Sequence, residues 1–170
     1  MSKLKYISHY NEHTKEQVRR LIKEDKLGAH LLNKYKSSHA IKNDKALFSY
    51  VMELKNEHLK KSAPLSKVEY NGKINVINNA LGTHRYISRV QGSKLKSKNE
   101  IKISSLFKNT PEEFLKMIVV HELAHFKEKE HNKAFYNLCE FMQPSYHQVE
   151  FDLRLYLTHI DISGKIEEWA

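Results

Sequence analysis

The chain has 170 residues, 40% hydrophobic and 29% charged, which fits one globular domain spanning 1–170 and excludes a disordered or low-complexity protein. Cys139 stands alone, which excludes a disulfide framework, and the longest apolar run, "MIVV" at 117–120, is too short for a helical membrane span. A net charge of +9 favours anionic partners: nucleotides, phosphates, acidic peptides, or nucleic acid, for which no motif speaks.

The opening "MSKLKYISHYNEH" has no apolar core of a secretory signal, so a cytoplasmic setting is expected. From Glu12 to Tyr35 apolar residues recur at helical spacing, with an interruption expected near Gly28. A second helix is predicted over 44–60, capped by Asp44, with Leu47, Tyr50, Val51 and Leu54 in one stripe. After Pro64 the period shortens. "SKVEYNGKINVI" alternates around Asn71-Gly72, a hairpin signal that sets Val68 and Tyr70 against Ile74 and Val76. Another strand is expected over 99–106, with Ile101 and Ile103 on one face. These segments predict a small, mainly antiparallel sheet.

From Thr110 the pattern is helical again, broken near Lys127–Glu130 and at Gln143-Pro144. Thr110 is the expected N-cap, Pro111 the first helical residue and Glu113 the partner in a capping box. Phe114, Leu115 and Met117 to Val120 form an apolar surface too wide for an exposed helix, which predicts a central, buried one. "YHQVEFDLRLYL" reads as a last amphipathic helix. Helices, sheet, then helices argue for an α+β fold.

The central helix carries "HELAH". His121 and His125 are four residues apart, so they stack on one face and can bind one divalent ion, Zn²⁺ first, with other divalent metals open. Glu122 lies beside them, placed to act as general base on a metal-bound water. A catalytic zinc needs a third protein ligand and one open vertex. His131, six residues past His125, is the candidate, provided that "KEKEHN" turns without a glycine.

Other candidates are weaker. His9 and His13 flank Glu12 at a polar N-terminal stretch; His30, His39, His58, His84 and His159 are isolated. Tyr146 and His147 follow the Pro144 turn and could return toward the metal as oxyanion stabilisers, against simpler packing or helix-start roles. Cys139 shares a helix face with Phe135, Leu138 and Met142, which suits a packed thiol. Lys94, Lys96, Lys98 and Lys102 fall on alternate positions with Arg89 upstream, a row able to hold a triphosphate or simply to solvate a sheet edge.

With these motifs in place, the chain resembles the YgjP-like family of metal-dependent hydrolases, relatives of the SprT and WLM zincins. The similarity is densest in "DKALFSYVMELKN", "INVINNALG", "SRVQGSKLKSK", "MIVVHELAHFKEKEHNKAFYNLCEFM" and "YHQVEFDLRLYL". The resemblance implies a zincin-like fold in which His121, His125 and His131 hold zinc, Glu122 activates water, and the turn before His131 forms without glycine. Broader relatives carry a W-G-S-C-like segment where this chain reads "SRVQGSKL" at 88–95, so substrate preference does not carry over from them. Both metallopeptidase and UTP pyrophosphatase assignments exist within the narrower subfamily. Peptide hydrolysis is the first expectation, with an extended peptide added to the 99–106 strand. Nucleotide pyrophosphohydrolysis at the same metal is the alternative, and a purely structural zinc is a third reading that the open vertex disfavours.

Overall fold

The computed structural model describes residues 3–74, 88–92 and 99–170. The described α-helices are α1 (Glu12–Lys23), α2 (Leu27–Lys34), α3 (Asp44–His58), α4 (Glu112–Ala124), α5 (Lys133–Met142) and α6 (Tyr146–Ser163). The strands are β1 (Leu65–Asn71), β2 (Ser88–Gly92) and β3 (Asn99–Ser104). The expected α+β order is therefore present. Asparagines start three of the helices: the side chains of Asn11, Asn43 and Asn132 accept from the amides of Thr14, Ala46 and Phe135 at 2.8, 2.8 and 2.9 Å. Asp44, the expected cap, has a different task. Its Oδ1 accepts the Tyr70 amide at 2.9 Å and ties the start of α3 to β1.

The sheet corrects the expectation of a mainly antiparallel one. Its order is β1-β3-β2, with β1 parallel to β3 and β2 antiparallel to β3. Asn71 does make a turn, its side chain accepting the Lys73 amide at 2.8 Å, but the described partner of β1 is the distant β3. Of the proposed hairpin partner, Ile74 is described and belongs to no strand, while Val76 lies outside the described residues. A turn motif reports only local geometry, whereas pairing is decided by apolar faces. Here the register sets buried Val68 beside Ile101 and buried Tyr70 beside Ile103. Because β3 is hydrogen-bonded on both sides, the 99–106 strand has no free edge for a peptide.

Helix α4 lies at the centre, in contact with α3, β2, β3, α5 and α6. The predicted capping box is absent, since no side chain caps the helix. The Thr110 hydroxyl instead donates toward the Phe107 and Pro111 carbonyls, at 3.2 and 3.3 Å. A cap is worth about 1 kcal/mol, whereas each fully buried large apolar side chain contributes about 1.5–3 kcal/mol, so packing decides. Phe114, Leu115, Met117, Ile118, Val119, Val120 and Leu123 are all buried. At the start of α4, Phe114 meets Tyr35 and Trp169 edge-on at 5.0 and 5.7 Å, and the Trp169 indole donates to the Tyr35 carbonyl at 2.8 Å.

The N-terminal helices dock on α6 through Asp152. This buried carboxylate accepts from the Tyr35 hydroxyl and from Gln148 Nε2 at 3.1 Å, and pairs with Lys34 Nζ at 2.7 Å. The interruption expected near Gly28 is present, between Lys23 and Leu27. Asp25, at φ 54°, makes the break, and Gly28 sits inside α2. Its place is a close approach: a Cβ there would lie 2.7 Å from His159 Nε2, on a ring held by a 2.8 Å bond to the Gly164 carbonyl.

A double-mutant cycle separates crowding from propensity at this contact. In a His159→Ala background, Gly28→Ala is expected to stabilise by up to about 1 kcal/mol through helix propensity. In the natural background that gain should vanish or reverse, read from urea unfolding midpoints.

Candidate metal centre

Two of the three predicted metal-ligating imidazoles arise from the C-terminal end of α4. His121 is fully buried inside the helix, and His125 is its C-cap in helical conformation. The chain then turns. The Lys127 and Glu128 amides both reach the Ala124 carbonyl, at 3.1 and 2.9 Å, and His125 Nδ1 donates to the Glu128 carbonyl at 3.0 Å. Among the described non-glycine residues only Asp25 has positive φ, so the 126–131 turn needs no glycine. It ends at Asn132, which caps α5 and leaves His131 facing back toward α4.

The result is one cluster. One ring nitrogen from each of His121, His125 and His131 lies within 4.8 Å of the others, the only such group of histidine, cysteine or acid side chains among the described residues. His125 Nε2 and His131 Nε2 are 3.1 Å apart. Tetrahedral ligands at about 2.0–2.1 Å from a shared ion stand about 3.3 Å from each other, so this pair fits a divalent cation. The His125 tautomer agrees. A carbonyl can only accept, so Nδ1 carries the hydrogen and Nε2 offers its lone pair. The Glu122 carboxylate is buried and 4.0 Å from His121 Nε2, beside the histidine cluster.

Phe135 was not singled out by sequence reasoning as a site residue. Its fully buried ring lies 4.9, 4.6 and 5.0 Å from those of His121, His125 and His131. It forms an apolar wall against all three imidazoles and restricts their rotation. The available signal was its spacing, one helical turn after His131 and in the first turn of a capped helix. Tyr146 and His147, weighed as oxyanion stabilisers against packing or helix-start roles, take different places. The buried Tyr146 hydroxyl is 2.9 Å from His121 Nδ1, at the first residue of α6. His147 points to the surface, where its Nε2 meets Glu140 Oε1 at 3.3 Å.

The predicted basic row is described only in part. Arg89 belongs to β2 and stands opposite Lys102 of β3 in register, and both strands contact α4. Lys102 Nζ is 4.0 Å from Glu69 Oε1. Lys94, Lys96 and Lys98 lie outside the described residues, as does His84. No described helix is long and apolar enough to cross a membrane.

Comparison with known proteins agrees with a metal site. Residues 7–156 match the family described as YgjP-like, metallopeptidase domain. A curated Escherichia coli (strain K12) protein named UTP pyrophosphatase is 54% identical over 162 residues, covering 95% of this chain and 97% of its own length. No solved structure matches the chain.

Two outcomes follow from the packing around the histidines. Phe135→Ala should cost about 3–5 kcal/mol in urea unfolding and should weaken metal binding as well, because the rings lose their shared wall. Burial pushes the Cys139 thiol up to about 12, so it should resist a disulfide-exchange reagent at pH 8 in the folded protein and react promptly once urea unfolds it.

Proposed function

This chain belongs to the YgjP-like family of metal-dependent hydrolases, and from that premise we propose that it is a zinc-dependent nucleoside triphosphate pyrophosphatase acting on UTP. The observation that carries the reading is the three-histidine cluster with Glu122 beside it, in a chain 54% identical to a protein named UTP pyrophosphatase. The fold, on this reading, is zincin-like. Zinc held by His121, His125 and His131 would supply Lewis acidity, acidifying a coordinated water and polarising the electrophile.

Glu122 takes the proton from the attacking water. The water oxygen bonds to the α-phosphorus, the bond to the α–β bridging oxygen breaks, and pyrophosphate leaves with that electron pair, giving UMP. Burial of Glu122 within α4 fixes its carboxylate beside the ligands, so no reorganisation is needed when the proton moves. Arg89 and the lysines at 94, 96 and 98 are the proposed triphosphate-binding cations, in keeping with the net charge of +9. Arg89 stands on the strand beside α4.

A second reading, peptide hydrolysis by the same residues, is favoured by the family description and by β2. That strand, and not 99–106, is the edge of the described sheet nearest α4, where an extended peptide could add.

The zinc-loaded protein assayed on UTP, other nucleoside triphosphates and an unfolded polypeptide distinguishes the two readings. UTP should yield UMP and pyrophosphate, and polypeptide cleavage without nucleotide turnover would replace the first reading with the second. Glu122→Gln should retain zinc and lose about 10²–10⁴-fold in turnover on whichever substrate is cleaved. Lys94, Lys96 and Lys98 changed together to Ala should raise KM for UTP and leave peptide cleavage unchanged; an unaltered KM would reduce that row to a solvated surface.

A further inference from the structure

Outside the histidine cluster, one buried histidine has both ring nitrogens committed. His39 lies in the link between α2 and α3. Its Nε2 stands 2.7 Å from the Phe107 carbonyl oxygen, which can only accept, so Nε2 carries the hydrogen. Its Nδ1 accepts the Ile41 amide at 2.9 Å, and a backbone N–H can only donate, so Nδ1 keeps its lone pair. Together the two bonds specify a neutral ring in one tautomer. A second proton has no place except Nδ1, where it would meet the Ile41 N–H head-on.

The neighbouring bonds make His39 the middle of a clasp. Its own amide donates to the Thr110 carbonyl at 3.1 Å, and Lys42 Nζ donates to the Lys108 carbonyl at 2.6 Å. Phe107 and Lys108 belong to the short 3-10 helix Ser105–Asn109, and Thr110 follows it just before α4. On the other side, the Ile41 carbonyl accepts the Tyr70 hydroxyl at 2.7 Å, which ties the same link to β1. Residues 39–42 therefore join the entry of α4 to the sheet.

The charged groups around the clasp come from each element packed on it. They are Lys42 of the link itself, Glu112 of α4, Asp44 of α3, which holds the Tyr70 amide at 2.9 Å, and Lys108, whose ammonium lies over the Tyr70 ring at 5.3 Å. Burial lowers the His39 pKa from its ordinary value and Lys42 adds to this; the Phe107 carbonyl and Glu112 act the other way without cancelling it. Tyr70 stays a phenol near neutral pH, because burial raises its pKa.

We propose that residues 39–42 form an acid-released clasp, in which a proton on His39 Nδ1 breaks the Ile41 bond and opens the link between the entry of α4 and β1. None of these bonds involves the histidine cluster, so the inference is independent of the metal reading. Because the fold resists the charge, the contribution to stability is complete above the unfolded value of about 6.5. It is lost as pH falls through the lowered value of the folded state.

Measurements on the full-length chain from about pH 8 to about pH 5 test the clasp at two levels. Nitrogen-15 NMR should show His39 as the Nε2–H tautomer at neutral pH. Below the His39 value in the fold, exchange of the Ile41 amide, corrected for the intrinsic effect of pH, should lose protection by up to about tenfold per pH unit. The Ala46 amide, held at 2.8 Å by the untitratable side chain of Asn43, should not follow it. His39→Asn keeps an acceptor for the Ile41 amide in an Asx turn but cannot titrate. Relative to this variant, the folding constant of the natural chain should fall by up to about tenfold per pH unit below about 6.5, read from urea midpoints. The other histidines are common to both chains and cancel in the comparison. A merely structural His39 would cost the variant the same stability at every pH. Parallel pH curves for the two chains, an Ile41 amide that tracks Ala46, or a His39 ring that titrates at about 6.5 in the folded protein each overturns the clasp. If His39→Asn does not fold, the exchange and NMR measurements on the natural chain decide alone.

Discussion

Polar groups buried on a central helix are the constraint around which the rest of the structure is arranged. His121 and Glu122 sit on α4 with essentially no exposure, on a helix that α3, β2, β3, α5 and α6 adjoin. Burying such groups costs several kcal/mol unless specific partners offset it. The surrounding elements supply partners at defined points: Tyr146 at the back of His121, the Glu128 carbonyl at His125, and His131 facing both from outside the helix. The helix itself starts without a side-chain cap, so aromatic packing of Phe114 against Tyr35 and Trp169 holds the end remote from the site.

The same constraint explains what could be read in advance. His121, Glu122 and His125 were legible because helical periodicity fixes their common face, and the apolar run before them announced burial. His131 was legible as a residue type at a plausible distance, but its return depended on a turn closed by backbone bonds to the Ala124 carbonyl, which no side-chain pattern encodes. Phe135 escaped notice because an aromatic in a helical stripe looks like ordinary core until the rings it touches are known. The parallel β1–β3 pairing was hidden for a related reason. Asn71-Gly72 gives a strong local signal, while the match of Val68 and Tyr70 with Ile101 and Ile103 spans more than thirty residues of chain. The interruption near Gly28 was legible, but the reason for the glycine itself, the approach of His159, was not.

The placement of the strands bears on chemistry as much as on fold. With β3 enclosed between its neighbours, the surface offered beside α4 comes from β2, the strand that carries Arg89. A guanidinium is well suited to phosphate oxygens, and a strand edge is well suited to an extended backbone. The two proposed readings thus share one histidine cluster and one strand, and differ in the groups of substrate that strand would meet.

The way His131 is mounted has a kinetic corollary. His121 and His125 belong to one helix, but His131 hangs on a short strap between two helices, partly buried like His125. The bonds that close the strap run to the Ala124 carbonyl and from His125, so opening it would ask nothing of the apolar core. A metal held at the cluster should consequently exchange far faster than the chain unfolds.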